Sequence, residues 1–543
     1  MTMHHLSRRA RRLRAAVLAG LSAALLAPAG GALGASPVSA PNALEPLAFQ
    51  SASRTRKKPT QKRPVRRTVR RARPRAVAPK PPAWTSPVGA AALATDLSGI
   101  ISTTIRSGRF GAMVASITRG DTLLALNAGE MMQPASTMKL FATAVALDRH
   151  GPEYSFSTDV LRDAPIGGDG TVSGHVYLRS DGDPSMSARF YRDPNLPMTT
   201  LARAVAAAGV KRVTGDLVFD ATAFDQRTIP EGWKTTYLGA AYAARVSALS
   251  LNENVVWVVV RPEGGRAAVT LEPMTTTIPL RSKVRLVRGR GGRIVARRAA
   301  DGGIDVSGSI GASSGPLRYS LVVDDPASFT AGALRAALQA AGITVEGTVR
   351  PGKTPGDAEK VASLVSPPLS RIVSEMNRES INVVAELLYR DAARKSAQNG
   401  VGSAETALSN LREFMEKKVG ANPQEIRATD GSGLSTLDFM TPRVMIQLLG
   451  YAHKGPWSSA FHGSLPVAGE SELLRMRMRS TPAQGNLHAK TGTTNTVVSL
   501  AGYVTARNGE ILAFSFMYNG TDRWNARATI DAMGATLANF VRE

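Results

Sequence analysis

The chain has 543 residues, 43% hydrophobic and 20% charged, which is enough for about two to four folded domains with a substantial core. The absence of cysteine excludes thiol catalysis, disulfide bonds and cysteine-ligated metal, but it assigns no compartment. The formal net charge is +25, and residues 1–83 hold eighteen basic residues and one acid, so +17 belongs to them and +8 to the remainder. The strong positive charge is therefore mainly a property of the N-terminal part.

The N-terminal 40 residues have the layout of a secretory signal peptide. Arginines between positions 8 and 14 precede an apolar run from Ala15 to about Pro28, and Val38-Ser39-Ala40 offers a small-residue cleavage site. We expect cleavage near Ala40 and an exported protein in the periplasm or the cell wall. The apolar run is too short and too interrupted to predict a membrane-spanning helix. The alternative is an uncleaved segment that keeps the protein at the membrane.

Residues 41–84 predict a disordered, basic and proline-rich linker. Thirteen Lys or Arg and no acid lie between Arg54 and Lys80. Such a segment buries too little apolar surface to fold, and its prolines keep it extended. Two interpretations stay open, a solvated spacer and a segment that binds a polyanionic polymer of the envelope. Nucleic acid is disfavoured as a partner because export removes the protein from most of it.

Residues 85–156 predict the first part of a domain that contains both helices and strands. The periodic stretches are, in chain order, a helix at 90–107, strands at 111–118 and 122–127, and a helix from about 134 to 150. Pro134 and Ser136 are helix-entry residues, and His150-Gly151-Pro152 ends that helix.

Residues 157–360 change to many short alternating segments with glycine turns, which predicts an inserted, β-rich region. Within it, residues 201–219 and 334–349 each have a helix pattern that ends in Ala-Gly, followed by a strand that contains glycine. This similarity indicates related supersecondary units, although it is too loose for a repeat array.

Residues 361–543 return to helical and hairpin patterns. The expected elements are helices at 368–395, 404–419, 441–453, 470–479 and 523–541, a polar turn at 430–435, and a hairpin of strands 497–506 and 511–518. Asn508-Gly509 between these strands suits a type I′ turn. The fold class that follows is α/β (α+β), with one domain built from 85–156 and 361–543 and interrupted by 157–360.

A hydroxyl and an amine stand three residues apart where the helix near 134 begins. Ser136 and Lys139 share one helix face, and a lysine that is desolvated beside other cations can be neutral enough to remove a serine proton. The helix N-terminus favours the negative charge that develops there. This is the Ser-x-x-Lys pattern of serine acyl-transfer enzymes, but a capped helix with a surface lysine has the same pattern.

Two further motifs follow in the order that this chemistry uses. Ser380-Ile381-Asn382 lies between two helix patterns, and Lys490-Thr491-Gly492-Thr493 leads into the final hairpin. A second Ser-x-Asn at 250–252 and a Gly-x-Ser-x-Gly at 311–315 both run into strand patterns, which excludes the latter as a nucleophile elbow. None of the seven histidines forms His-Glu-x-x-His, so a zinc peptidase is unsupported.

With these motifs the chain resembles the D-alanyl-D-alanine carboxypeptidase/endopeptidase family, the class C penicillin-binding proteins. The resemblance covers about 90–540 and includes the spacing of 244 positions from Ser136 to Ser380, which is typical of the family and absent from ordinary β-lactamases. The segments that carry it are 134–139, 380–382, 430–435, 465–469, 489–493 and 500–503. Ile381 stands where the family often has Asp, and we expect this middle position to point away from substrate.

The resemblance implies a transpeptidase fold interrupted by a β-rich insertion, a serine DD-peptidase activity on peptidoglycan peptides, and inhibition by β-lactams, with neither metal nor cofactor. It implies that Ser136 is the nucleophile, Lys139 its base, Ser380 a proton relay, and Asn382 the group that orients Lys139 and the substrate amide. The implied contribution of Lys490 is positive potential for the substrate carboxylate. Thr491, Gly492 and Thr493 complete the substrate-binding strand, and the N–H groups of Ser136 and Thr493 form the oxyanion hole.

Three alternatives remain at this point. We expect a serine-type D-Ala-D-Ala carboxypeptidase, and whether carboxypeptidase activity on chain ends or additional endopeptidase activity on cross-links dominates stays open. A catalytically weak, penicillin-binding envelope protein that holds polyanions through its basic segment is a non-enzymatic alternative. A β-lactamase would need fast deacylation. For Asp430 and Ser432 we expect a structural turn near the site rather than direct chemistry.

Overall fold

The structure, a computed structural model, describes residues 82–542. The expected signal peptide, the basic segment 54–80 and most of the linker lie outside the described residues. The helices are α1 (Ala90–Thr104), α2 (Lys139–His150), α3 (Ala188–Tyr191), α4 (Leu196–Ala207), α5 (Pro326–Ala340), α6 (Leu369–Glu379), α7 (Asn382–Arg394), α8 (Ala404–Phe414), α9 (Pro442–Lys454), α10 (Ser458–Gly463) and α11 (Arg523–Ala538).

The strands follow the same chain order. They are β1 (Arg109–Ser116), β2 (Thr122–Leu126), β3 (Ser157–Arg162), β4 (Thr171–Val172), β5 (Val176–Ser180), β6 (Arg212–Val213), β7 (Leu217–Asp220), β8 (Val255–Glu263), β9 (Arg266–Glu272), β10 (Leu280–Val287), β11 (Gly292–Arg298), β12 (Ile304–Gly311), β13 (Leu317–Val322), β14 (Thr344–Val345), β15 (Val349–Pro351), β16 (Glu359–Val365), β17 (Ile426–Arg427), β18 (Phe439–Met440), β19 (His488–Thr493), β20 (Val497–Thr505) and β21 (Ile511–Asn519). Together with the helices they confirm the α+β class expected from the sequence.

A five-stranded antiparallel sheet in the order β19-β20-β21-β1-β2 organises the part of the fold that holds the motifs. Because side chains alternate along a strand, β21 serves two cores. Phe514 and Phe516 pack with α1 and α11 on one face of the sheet, whereas Ala513 and Met517 pack with the α2, α7 and α9 layer on the other. The sheet is therefore covered on both faces.

Helix α2 lies in the interior of that second layer. All residues from Lys139 to Leu147 are buried, and so are those from Val383 to Ala393 of α7. A helix that is buried all round needs an apolar sequence on every face. Lys139 is the one residue with a charged side chain in the buried part of α2, from Lys139 to Leu147. Burying a charged amine costs free energy unless neighbouring groups pair with it or form hydrogen bonds to it.

The β-rich region starts and ends side by side, since β3 and β16 pair from Ser157↔Val365 to Arg162↔Glu359. Its largest sheet has the order β15-β7-β5-β3-β16. The two related units are confirmed: α4 leads to β6 and β7, α5 leads to β14 and β15, and the strands pair in parallel as β14 with β6 and β15 with β7. The adjacent entry and exit strands suit an insertion, and the proposed domain boundaries stay a prediction.

Two expected local structures are wrong. Residues 470–479 form only a short 3₁₀ turn at Glu472–Leu474, because Glu472, Met478 and Ser480 have φ of 36°, 54° and 57°, which a helix cannot contain. The bends turn the Arg477 guanidinium inward, where its Nε donates to Asp531 Oδ1 of α11 at 2.8 Å. A tertiary ion pair therefore overrides the helical periodicity.

The final hairpin is confirmed, but its turn is not type I′. Of the Asn508-Gly509 pair only Gly509 has positive φ, at 85°, and its N–H donates to the Ala506 carbonyl at 2.9 Å. The strand pairing ends at Thr505↔Ile511, so the loop is longer than the two residues that a type I′ turn joins. No helix within residues 82–542 has the length and apolarity to cross a bilayer.

Candidate active site

A 3₁₀ turn at Ala135–Met138 presents Ser136 at the start of α2. Ala135 has φ of 48°, a left-handed conformation that is uncommon for a residue with a side chain. The Pro134 carbonyl accepts hydrogen bonds from Thr137 Oγ1 at 2.8 Å and from Ser499 Oγ at 2.6 Å, which fixes the turn against β20. Ser136 is half-buried between the fully buried Ala135 and Thr137, so the turn leaves Ser136 partly accessible.

Three oxygen atoms surround the buried amine of Lys139. Its Nζ lies 3.1 Å from Ser136 Oγ, 2.6 Å from Asn382 Oδ1 and 2.7 Å from the Ser432 carbonyl oxygen. A protonated lysine has three N–H donors, and a neutral one has two donors and one lone pair. The Asn382 and Ser432 oxygens can only accept hydrogen bonds, so they orient two N–H bonds of Lys139. The third position on the Lys139 nitrogen therefore points at Ser136.

Burial lowers the pKa of Lys139 to about 7, whereas the nearby carboxyl groups of Asp430, Glu386 and Asp438 act in the opposite direction. Burial also raises the pKa of Glu386 to about 8, with the charge of Asp430 as the second cause. When Glu386 is neutral, it carries no negative charge that would stabilise a protonated Lys139, so it raises the pKa of Lys139 little. The site therefore holds an amine that can be neutral near pH 7.

The Ser-x-Asn motif occupies the junction of α6 and α7. Ser380 ends α6 with φ of 58°, a left-handed conformation, and Asn382 opens α7. The tight junction aims both polar side chains toward the site while Ile381 between them is buried, as expected for the middle position. The Asn382 side-chain amide both accepts and donates: its Oδ1 accepts a hydrogen bond from Lys139, and its Nδ2 donates one to the Tyr242 carbonyl at 2.7 Å.

The Lys-Thr-Gly motif lies on β19, an edge strand of the central sheet. Lys490 is fully buried, and its Nζ donates to Ser380 Oγ at 2.9 Å and to the Thr491 carbonyl at 3.0 Å. Burial lowers its pKa well below the ordinary value, and the charge of Lys139 adds to this effect. Thr493 at the end of the strand is exposed. The structure therefore brings the five predicted residues together as two hydrogen-bonded sets, Lys139 with Ser136 and Asn382, and Lys490 with Ser380. The two amines are close enough for the charge of Lys139 to lower the pKa of Lys490.

Gly492 lets β19 approach the nucleophile turn. A Cβ added there would lie 2.7 Å from the Pro134 carbonyl oxygen and 3.1 Å from the Ser136 backbone nitrogen, and would overlap Ser499 Oγ. Any larger residue would push the strand away from the turn. The glycine of the motif therefore has a steric function, since it lets β19 lie against the backbone of Ser136.

The loop at Asp430 is a turn in which each oxygen of the Asp430 carboxylate accepts two hydrogen bonds. Its Oδ1 accepts the N–H groups of Ser432 and Gly433 at 2.9 and 2.6 Å, and its Oδ2 accepts the Ser435 N–H and Trp233 Nε1 at 2.7 Å each. Both carboxylate oxygens are therefore occupied by donors of the surrounding backbone and of Trp233. The structural interpretation of this turn agrees with these contacts, because the turn positions the Ser432 carbonyl that meets Lys139.

Sequence reasoning missed four residues that support the site. Glu386 and Asp438 are buried acids beside Lys139, and Trp233 and Tyr242 come from the β-rich region. Glu386 lies one helical turn after Asn382 and accepts the Gly431 N–H at 3.0 Å. An acid within the apolar pattern of α7 was the available signal for Glu386. The contacts of Trp233 and Tyr242 depend on tertiary placement, and no local pattern indicates them.

The rival motifs lie elsewhere in the β-rich region. Ser250 Oγ donates to Asn254 Oδ1 at 3.0 Å, and Asn252 Nδ2 donates to the Val255 carbonyl at 2.8 Å, so both serve the turn before β8. Ser313 lies between β12 and β13, and the strand after it excludes the helix that a nucleophile elbow needs.

Comparison with known proteins agrees with this geometry. Residues 94–540 match the family described as the D-Ala-D-Ala carboxypeptidase 3 (S13) family. A D-alanyl-D-alanine carboxypeptidase from an Actinomadura strain is 35% identical over 450 residues, which are 79% of this chain and 81% of that protein. The D-alanyl-D-alanine carboxypeptidase DacB of Haemophilus influenzae is 24% identical over 422 residues, 76% of this chain and 85% of that protein.

The fold has a solved counterpart in penicillin binding protein 4 (dacB) from Haemophilus influenzae, with a TM-score of 0.67, 22% sequence identity, and coverage of 82% of this chain and 98% of that one. Fold and motifs together define a serine-type, penicillin-binding peptidase class. Within that class the chain belongs to the D-Ala-D-Ala carboxypeptidase 3 (S13) family. Membership in a family of cell-wall peptidases also indicates an exported protein.

Proposed function

We propose that this carboxypeptidase cleaves the terminal D-Ala–D-Ala bond of peptidoglycan peptides through an acyl-enzyme at Ser136. The observation that carries the proposal is the 3.1 Å contact between Ser136 Oγ and the buried Lys139 amine. The other two amine positions are occupied by Asn382 Oδ1 and the Ser432 carbonyl. A neutral Lys139 therefore has its lone pair available for the Ser136 proton alone.

In the first step, Ser136 Oγ forms a bond to the carbonyl carbon of the penultimate D-alanine, and its proton moves to Lys139 Nζ. Backbone N–H groups of Ser136 and Thr493 stabilise the oxyanion, an effect of about 3 to 4 kcal/mol per donor in measured cases. The Gly492 contact supports this assignment, because it brings the end of β19 against the Ser136 nitrogen.

In the second step, the bond to the terminal D-alanine nitrogen breaks, and that nitrogen receives a proton through Ser380. The 2.9 Å contact between Ser380 Oγ and Lys490 Nζ supports a relay, since Lys490 can resupply the proton that Ser380 gives up. The proton that Lys139 took from Ser136 must then pass to the Ser380–Lys490 pair, which balances the step. Water then attacks the acyl-enzyme and regenerates Ser136.

The edge strand β19 is the element that binds the substrate in this proposal. β19 pairs with β20 on one side, and on its other side only its first residues are engaged, through the bridge of His488 to Val467 and the bond from Ala489 to Pro466. Within the described fold, the part of that edge from Lys490 to Thr493 is available to an extended peptide. The amine of Lys490 and the hydroxyls of Thr491 and Thr493 are donors for the terminal carboxylate, and Asn382 Nδ2 is a donor for the substrate amide carbonyl. That donor now bonds to the Tyr242 carbonyl, so substrate must replace this contact or share it. β-Lactams mimic the cleaved bond and should acylate Ser136 in the same way.

The decisive experiment combines covalent labelling with product analysis. The parent should form a one-to-one adduct with a fluorescent penicillin and release D-alanine from a pentapeptide stem. Ser136→Ala should lose both while it keeps the parent's melting temperature, and Ser313→Ala, in the rival motif, should keep both. Adduct formation that persists in Ser136→Ala would exclude the proposed nucleophile.

Mass spectrometry of muropeptides decides which bond is cut. Loss of one alanine residue from monomers indicates carboxypeptidase action, and conversion of cross-linked dimers to monomers indicates additional endopeptidase action. Many turnovers of nitrocefin would instead favour a β-lactamase. A stable penicillin adduct without D-alanine release would favour the weak, penicillin-binding alternative.

We also propose that the exported chain works in the periplasm or cell wall, with the signal segment either cleaved or retained at the membrane. The basic segment 54–80 is proposed to bind an anionic envelope polymer. Both proposals rest on the sequence, since those residues lie outside the described part of the chain.

A further inference from the structure

The small sheet β10-β12-β11 in the β-rich region has one apolar face and one strongly basic face. Its even-numbered residues pack into the core: Val284, Leu286, Ile294, Ala296, Val306 and Ile310. Its odd-numbered residues therefore point outward. Residues 280–298 hold eight Lys or Arg and no acid, so most of that charge falls on the outward side and the adjoining loop.

Strand register places these cations in two rows. Arg285 on β10 and Arg293 on β11 both lie opposite Ser309 of β12, and Lys283 lies opposite Ser307. Neighbouring strands are about 4.8 Å apart and same-face residues about 6.7 Å apart along a strand. The rows therefore lie roughly 10 Å apart, with serine hydroxyls between them. We call the exposed side chains of Lys283, Arg285, Arg288, Arg290 and Arg293 the cationic face.

Carboxylates are confined to one end of this sheet. Arg281 pairs with Asp301 and Asp305 at 2.7 Å each, and Arg298 pairs with Asp324. Across residues 82–542, no acid lies within ion-pair distance of any member of the cationic face. Cations that are clustered and left without acidic partners repel one another, so an external anion would relieve that repulsion.

We propose that the cationic face binds a linear cell-wall polymer of phosphodiester repeats, of the poly(polyol phosphate) type. Four of its five members are arginines, whose planar guanidinium groups suit phosphate oxygens. The rows extend along strands, so successive phosphates of an extended polymer can meet successive cations. A polymer interleaved with peptidoglycan would hold the enzyme close to its substrate.

Two other partners fit this surface less well. Residues 280–311 contain no aromatic side chain, so the face has no platform for stacking nucleic-acid bases. The large apolar side chains exposed there are Val287 and Val295, which are too small and too few to anchor the sheet in a bilayer. A phosphate polymer without bases is therefore the occupant that its chemistry favours.

The test measures binding of the full chain to poly(glycerol phosphate) teichoic acid across a salt series. The variant Lys283→Gln/Arg285→Gln/Arg293→Gln removes three charges that belong to no ion pair of the described chain. A matched control, Lys211→Gln/Lys454→Gln/Arg507→Gln, removes three exposed charges elsewhere. Both sets are also made in a chain whose thirteen Lys and Arg of 54–80 are replaced by Gln, so that binding by that segment does not hide the effect.

We expect the face variant to bind roughly tenfold to hundredfold more weakly than the control at low salt. Its slope of log affinity against log salt should be shallower by about 2, since each phosphate contact contributes about 0.7 on flexible chains. Penicillin labelling should be unchanged in both, which separates this test from that of the proposed function.

Equal binding by the face variant and the control in the tail-neutralised chain would overturn the proposal. So would a larger loss on single-stranded DNA, anionic phospholipid vesicles or poly-glutamate than on the phosphate polymer. A melting temperature equal to the parent's shows that the face variant is folded.

Discussion

The side-chain nitrogen of Asn382 donates to the backbone carbonyl of Tyr242 at 2.7 Å, and this bond joins the β-rich region to the catalytic group. Because the amide nitrogen faces a carbonyl, the amide oxygen must face Lys139, which it meets at 2.6 Å. Tyr242 thus fixes which end of Asn382 the base encounters.

Asn382→Asp should separate these two functions. The carboxylate keeps an acceptor for Lys139, but it adds negative charge beside the amine and turns an oxygen toward the Tyr242 carbonyl. The charge should raise the pKa of Lys139 and move the pH profile of penicillin acylation to higher pH. Stopped-flow acylation across pH measures this, with the exposed Asn399→Asp as the control. A profile at the parent's position would show that Asn382 does not influence the base.

The pH dependence of the parent follows from the lowered pKa of Lys139. Only the neutral amine can accept the Ser136 proton, so the acylation rate should rise as pH increases through about 7 and then level off. An ordinary lysine would delay that rise to about pH 10. Second-order rate constants for penicillin acylation between pH 5 and 9 test this. A rate that falls across this range would contradict the assignment of Lys139 as base.

Gly492→Ala should reduce acylation by at least about a hundredfold, because the added methyl group would displace β19 from the nucleophile turn by a substantial fraction of an ångström. Gly315→Ala is the matched control, since a Cβ there meets no atom within 4 Å. Both rate constants come from fluorescent-penicillin kinetics. Near-parental rates for Gly492→Ala would mean that the strand approach is not needed for catalysis.

Asp430→Asn distinguishes a structural turn from direct chemistry. The amide cannot accept all four N–H donors, and each buried donor left unpaired costs about 1 to 3 kcal/mol. We therefore expect a lower free energy of unfolding together with slower acylation, whereas exposed Asp357→Asn should change neither. Urea unfolding and penicillin kinetics provide the two measurements. Slower acylation with unchanged stability would instead indicate that Asp430 takes part in the reaction.

Much of the fold was predictable from local patterns. Apolar periodicity located the helices around Ser136 and Ser380 and the strands of the final hairpin, because one buried face leaves its repeat in the sequence. The helix expected at 470–479 failed where the Arg477–Asp531 ion pair turned the chain instead. Local propensity cannot include a partner that lies 54 residues away.

The sequence by itself determined the chemical class of the site, since Ser136, Lys139, Ser380, Asn382 and Lys490 have reactivities that belong to their side chains and occur in recognisable motifs. Only the tertiary structure decided that Lys139 is buried, that partners 243 and 293 residues away orient its amine, and that Glu386 lies beside it. The reason is physical: burial and the distance between charges set the pKa of an amine, and both are properties of packing rather than of chain order.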